Sequence, residues 1–348
     1  MFSLACVPNW GFAQPTTPRP KVMLPGDFGA HPDERTEWWY VTGWLEAAGR
    51  TWGFQVTFFR TSTGVAAGHP SRFAARELVF GHAALTDLAA GRHLHAQRVA
   101  RAGFGIASAA EGRTDVRLRD WHLLREGPVE RGRYTTEVTG PDFKVVLTLD
   151  TTQPPLLQGE AGWSRKGVDP THFSLYYSEP QLAVRGTLEQ HGHRTAVTGR
   201  AWLDHEWSTA LMEPGVVGWD WIGMNLDDGR ALTAAQLRRA DGSAAFALGS
   251  IRAPGEAPRA FAPHEVVFTP GRRWTSPASQ ARYPVEWTID TPAGQFHVAT
   301  LLDAQELDSR GSTGAWYWEG LSQLNDAQGR RLGLGYLEMT GYASRLTL

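Results

Sequence analysis

The sequence predicts an all-β protein made of two barrel domains packed together. Period-two alternation of apolar and polar residues recurs along the chain, while helical periodicity is nearly absent. Gly, Pro, Asn and Asp punctuate the alternating runs, which reads as strands joined by hairpins. The 348 residues are too many for one ordinary barrel and comfortable for two. The 15 Trp, 15 Phe and 8 Tyr suit the bulky filling of β cores, or a large apolar cavity lined by rings.

From the N-terminus, residues 1–21 read as a signal-peptide remnant or a disordered segment. A short apolar start, a junction-like Phe12-Ala13-Gln14 and a Pro/Thr stretch support the first, although a basic start region is missing. The expected location is the periplasm or outside the cell, with the cytoplasm as the alternative. Cys6 is the sole cysteine, so neither a disulfide nor a thiolate metal site is expected. The first domain, 22–212, opens on a strand with Trp38, Tyr40, Thr42 and Trp44 on one face and Trp39, Val41 and Gly43 on the other. Ala47-Ala48-Gly49-Arg50 turns the chain into a second strand over 52–59. Further strands are expected at 78–84, 115–124, 134–139, 143–149 and 182–188.

Met212-Glu213-Pro214-Gly215 interrupts the pattern, which places the second domain at 213–348. Its strands are expected at 219–226, 231–237, 244–251, 285–289, 295–300, 316–324 and 332–340, with 252–282 as a long loop. One internal echo links the domains. Trp38 and Tyr40, Trp219 and Trp221, and Trp316 and Trp318 each set two rings on one strand face, and each strand ends at a Gly-Arg turn. Trp38, Tyr40, Trp219, Trp221 and Trp316 are therefore expected to line a cavity.

Thirty-four Lys and Arg against 36 Asp and Glu give a net charge of −2, which argues against a nucleic-acid partner. No run approaches 18 apolar residues, so no membrane-spanning helix is expected. Phosphate-loop, dinucleotide and G-x-S-x-G motifs do not occur. His93-x-His95 and His191-x-His193 lack a third ligand, and His205-Glu206 lacks the second His of a zinc helix. No metal and no cofactor are expected.

The richest segment is Gly199 to Ser208. If extended, it sets His205 and Trp207 on one face and Trp202, Asp204 and Glu206 on the other. Two acids, an imidazole and two indoles in six residues are costly to bury without a reason. One reading is a structural ion-pair and hydrogen-bond knot with Arg200. The other is an acid/base set at a cavity wall, where a carboxylic acid in apolar surroundings stays protonated.

Gly29-Ala30-His31-Pro32-Asp33 followed by Thr36-Glu37-Trp38-Trp39-Tyr40-Val41-Thr42-Gly43 resembles the opening of the AttH and carotenoid 1,2-hydratase (CrtC-like) family of lipocalin-like proteins. The resemblance continues through Tyr176-Tyr177-Ser178-Glu179-Pro180, Trp202 to Ser208, Gly218-Trp219-Asp220-Trp221, Tyr317-Trp318-Glu319-Gly320 and Gly335 to Tyr342. It implies two lipocalin-like barrels with a hydrophobic ligand site at or between them, and it brings Tyr177 into the candidate set. It also implies that His205 and Trp207 match the His-x-Trp linked to catalysis in the hydratases. The strand after Gly229-Arg230, Ala231 to Leu237, departs from the family by being smaller and more polar.

The expected function is a cofactor-independent hydratase, a lyase adding water to a C=C bond of an isoprenoid- or polyene-like substrate. An acid, Asp204 first and Asp220 second, would protonate the bond. Trp207, Trp219 and Trp221 would stabilise the carbocation, and His205 would take a proton from water. Asp204 and His205 share a face only if the strand bulges between them. The alternative is a secreted or periplasmic carrier of an apolar ligand that serves an ABC transporter.

Overall fold

The computed structural model describes residues 19–64, 69–71 and 73–346. The leader reading of residues 1–18, with Cys6, lies outside them. The described residues form an all-β structure of two domains, one near-closed barrel and one half-barrel, with three single-turn 3-10 helices.

The first sheet runs in space from Arg92–Arg101 through Glu77–Asp87, Arg50–Ser62, Thr36–Ala47, His193–Ser208, Phe173–Gln190, Phe143–Asp150, Arg133–Thr139, Trp121–Glu126 and Asp115–Leu118 to Ala107–Ala109. Its two ends approach each other and are joined by the bridge Gly103 to Ala107. Gly81 makes room for this closure, since a Cβ there would come within 3.0 Å of Leu118 and Trp121. Strand Phe143–Asp150 alternates buried and half-buried residues along its length, as a strand with one solvated face should. By contrast, Thr36–Ala47 and the last eight residues of His193–Ser208 are buried on both faces. Trp39, Val41 and Leu45 face the barrel core, and Tyr40 and Trp44 face the second domain.

The second sheet has the spatial order Arg259–Phe261, Ala244–Arg252, Ala231–Arg239, Val216–Leu226, Arg331–Thr340, Trp316–Asp326, Gly294–Thr300, Glu286–Thr291 and Val267–Pro270. Its end strands are only three and four residues long and do not pair with each other. Proline cannot donate to a ladder, and Pro263 and Pro270 cut these strands short. The second domain is thus a half-barrel.

The chain changes sheet between Ser208 and Val216. Asn225 donates to the Ala201 carbonyl (3.1 Å), and Gln181 donates to the Leu226 and Arg230 carbonyls (2.9 Å each), tying one sheet to the other. Three local differences from the expected strands have simple causes. Arg119 adopts a left-handed φ of 58°, so 115–124 folds as a hairpin of two short strands. Arg92–Arg101 is a strand despite its charge, because it is the half-solvated edge of the barrel. The stretch 252–282 holds short strands and a 3-10 turn instead of one loop.

Candidate functional site between the two domains

Register determines which residues meet at the domain interface. Across the first sheet, Phe80, Phe59, Trp38, Glu206 and Tyr176 stand in one transverse row. The next row on the same face is His82, Thr57, Tyr40, Asp204 and Ser178. On the second sheet a corresponding row runs Ala235, Trp221, Glu338, Glu319. These faces enclose a cavity of about 250 Å³, lined by rings and aliphatic side chains together with the acids Glu37, Asp204, Glu206, Glu319 and Glu338 and the cations Arg60 and Lys166.

Trp221 closes part of the seam. Its ring meets Tyr40 edge-on at 5.4 Å and Trp202 at 6.2 Å, and its indole N–H donates to the Tyr176 hydroxyl at 3.3 Å. A Cβ at Gly223 would come 2.3 Å from that ring, so only glycine leaves the indole its place.

Four of these acids, those other than Glu37, differ in their partners. Glu206 pairs with Lys166 at 2.7 Å and accepts from Ser174. Asp204 accepts from the Ser178 hydroxyl (2.5 Å), the Trp202 indole (2.7 Å) and the Tyr176 hydroxyl (2.8 Å). Burial nevertheless pushes its carboxyl up to about 7. Glu319 is 1% exposed, and neither of its carboxyl oxygens makes a hydrogen bond of ordinary geometry, although Tyr40 and Gln55 lie close enough to favour its ionised form. Burial, reinforced by Glu338, drives its carboxyl well above the usual range. Burial likewise raises Glu338 to about 8, with Asp204 and Glu206 adding to the shift. An apolar cavity lined by neutral carboxylic acids can deliver protons to a bound ligand.

Of the sequence candidates, Asp204, Trp38, Tyr40, Trp219 and Trp221 line this cavity. The others lie elsewhere. No register shift interrupts the pairing of His193–Ser208 with Thr36–Ala47, so alternation holds and His205 and Trp207 point into the first barrel. The bulge in this region lies on the neighbouring strand, between Glu179 and Leu182. His205 is fully buried. Its Nε2–H donates to Glu37 (2.8 Å), its Nδ1 faces the Tyr177 hydroxyl (3.1 Å), and its ring stacks on Trp39. Tyr177 therefore also belongs to the barrel interior. Asp220 faces away from the cavity, holding Arg238 at 3.1 Å, Gln236 at 2.8 Å and Tyr342 at 2.9 Å. Trp316 packs beneath Arg310. In the third aromatic pair the direction is reversed, and the intervening Tyr317 and Glu319 face the cavity.

His31, Glu37 and His205 bring three ligand atoms within 4.8 Å of one another, the arrangement a metal would need. They do not suit one. His31 Nδ1 and His205 Nε2 both already bond to Glu37, and Arg60 lies 2.9 Å from the same carboxylate. A guanidinium there opposes a second cation. Burial alone would raise Glu37, but bonds from His205 and His31 hold it at about 2. Burial alone would lower His31, but Asp27 and Glu37 lift it to about 9. Burial lowers His205, which stays neutral. This is a charged knot inside the barrel, with Arg60 and His31 as its cations where Arg200 was expected.

Glu319, Glu338, Lys166, Tyr176, Tyr317 and His82 were not among the site candidates, although Tyr176, Tyr317, Glu319 and Glu338 lie in the segments that carry the family resemblance. Only cross-strand register assembles them, and register is not written in any one segment.

The AttH-like family model matches residues 15–342, nearly the whole chain. This chain belongs to the AttH-like family. A crystal structure assigned as an AttH of Nitrosomonas europaea shares 46% identity with it, covers 94% of this chain and 99% of its own, and superposes with a TM-score of 0.86. The AttH-like fold is shared at much lower identity with kievitone hydratase from Nectria haematococca (16% identity, TM-score 0.71, 93% of this chain and 94% of that one). It is also shared with CghA in complex with Sch210972 (11%, 0.55, 91% and 89%). Among curated proteins, none matches.

Proposed function

We propose that this AttH-like protein is a cofactor-independent enzyme that adds water to a C=C bond of an apolar substrate held in the interdomain cavity. The observation that supports this most is the acid pair, buried Glu319 and half-buried Glu338, whose surroundings favour the protonated form in a ring-lined cavity beside Asp204. Glu338, at about 8, holds its proton at neutral pH and gives it to one alkene carbon. The cation left on the other carbon sits among Trp38, Trp219 and Trp221, where cation–π attraction is worth roughly 2 kcal/mol or more when desolvated. Water adds to that carbon and loses a proton to Asp204, which three donors favour as a carboxylate. Solvent then returns a proton to Glu338 and removes one from Asp204. His205 acts at a distance in this scheme, as a positioning residue that anchors Glu37 next to Trp38.

The hydration reading agrees in reaction class with the kievitone hydratase that shares the fold. The apolar lining also supports a second reading, a periplasmic carrier that hands its ligand to an ABC transporter, but that reading gives the protonated acids no task. Incorporation of ¹⁸O from labelled water into an isoprenoid or polyene alcohol separates the two. Turnover that collapses in Glu338→Gln and Asp204→Asn supports the enzyme. Saturable binding without turnover across a broad alkene panel leaves the carrier.

A further inference from the structure

The cavity has more acids than the protein supplies cations for. Lys166 is committed to Glu206, and Arg60 is committed to Glu37 and Glu77. Among the described residues, Asp204, Glu319 and Glu338 have no ion-pair partner, and both oxygens of Glu319 lack a hydrogen bond of ordinary geometry, with Tyr40 and Gln55 as the nearby donors. Glu319 and Glu338 are nevertheless direct cross-strand neighbours, with Trp221 next in the same row. Carboxyl groups so placed attract a positive charge, and indole rings beside them attract the same charge through their faces.

We propose that the cavity selects apolar molecules bearing a protonated amine, with the ammonium between Glu319 and Glu338 and beside the rings of Trp219 and Trp221. The inference rests on the cavity being the ligand site and does not require hydration to occur. A bound ammonium would also imitate the cation of the proposed reaction. Its arrival exchanges a proton, because a carboxylic acid that was neutral in the empty cavity ionises against it and releases H⁺ to solvent. The titratable groups facing the pair are Tyr40, Tyr317, Tyr336, Asp204 and Glu206, with Lys166 behind Glu206 and the Trp219 indole bonded to Glu338. Each tyrosine stays neutral, so the proton comes from the acids.

The test is quenching of tryptophan emission by geranylamine and by its neutral counterpart geraniol at pH 6.5, 7.5 and 8.5. The amine is expected to bind about ten-fold tighter at pH 7.5, the size of one such cation–π contact joined to an ion pair. The preference should widen toward pH 8.5 as Glu338 ionises, while geraniol binding stays flat. In the Glu319→Gln, Glu338→Gln double variant the preference should fall to within about two-fold. If that variant does not fold, the pH dependence of the wild type decides alone. Geraniol binding as tightly as the amine, a preference that is unchanged from pH 6.5 to 8.5, or no saturable binding of either overturns the proposal. Turnover of alkenes without amine preference overturns this inference alone. Amine preference without turnover overturns the hydratase reading alone.

Discussion

Glu319 and Glu338 face each other directly across two antiparallel strands, on the side of the sheet that lines the interdomain cavity. Like charges in that position repel, and burial adds to the cost of ionising either one. The sheet therefore keeps protonated acid at a wall otherwise made of rings and aliphatic groups, and the pair titrates as a unit.

Turnover should follow a narrow bell in pH. The rising limb belongs to Asp204, which must be ionised and titrates at about 7. The falling limb belongs to Glu338, which must be protonated and titrates at about 8. Rates of ¹⁸O incorporation from pH 5 to 10 measure both. Glu338→Gln should lower the rate by about 10²–10⁴ with little change in ligand affinity, as loss of a general acid does.

Folding stability should decline as pH rises from about 6.5 to 8, above the range in which His82 and His93, lowered by burial to about 3, oppose the trend. A carboxyl whose folded pKa is raised binds its proton more tightly in the native state, so its contribution is fully present below the unfolded value and is lost through the folded one. Asp204 and Glu338 act in this sense up to about 7 and 8. His31, raised to about 9, has the same sign, losing its contribution between about 6.5 and 9. Glu37, held at about 2, opposes them only in acid, where its contribution falls away below about 4.5. Thermal melts at stepped pH should show this slope, and Glu338→Gln should flatten its upper part.

His205→Ala should destabilise the barrel by roughly 1.5–3 kcal/mol, the worth of a buried hydrogen bond to a charged group. Measured well below its melting temperature, the variant should retain ligand binding and turnover within about ten-fold, because His205 does not reach the cavity. Complete loss of turnover in a folded His205→Ala protein would return that imidazole to the chemistry.

Two tryptophans from matching sequence motifs should behave differently. Trp219→Ala should weaken apolar-ligand binding by roughly 1–3 kcal/mol, since it removes a large apolar wall of the cavity. Trp316→Ala should leave affinity unchanged, because Trp316 packs under Arg310 on the other side of its sheet. Titration of both variants with one polyene decides the point.

Much of the fold was legible because period-two alternation is a local property. The runs at 143–149 and 219–226 carry their faces in their own residues, and both are strands. Closure was not local. Whether the second sheet becomes a barrel depends on whether two distant edge strands can pair, and short, proline-limited strands at its ends leave it open.

The sequence by itself determined that His205 and Asp204 point in opposite directions, because alternate residues of an unbroken strand must do so. It also placed Trp219 and Trp221 together on one face. Only the tertiary structure decided which face meets the ligand cavity and which meets the barrel core, since both faces of these strands are buried and apolarity no longer tells them apart. The same reason hid the acid pair. Glu319 and Glu338 are 19 residues apart in sequence, and each sits in a plain strand pattern. The register of two strands and the docking of a second domain bring them together, take Glu319 out of solvent, and favour the protonated form of both.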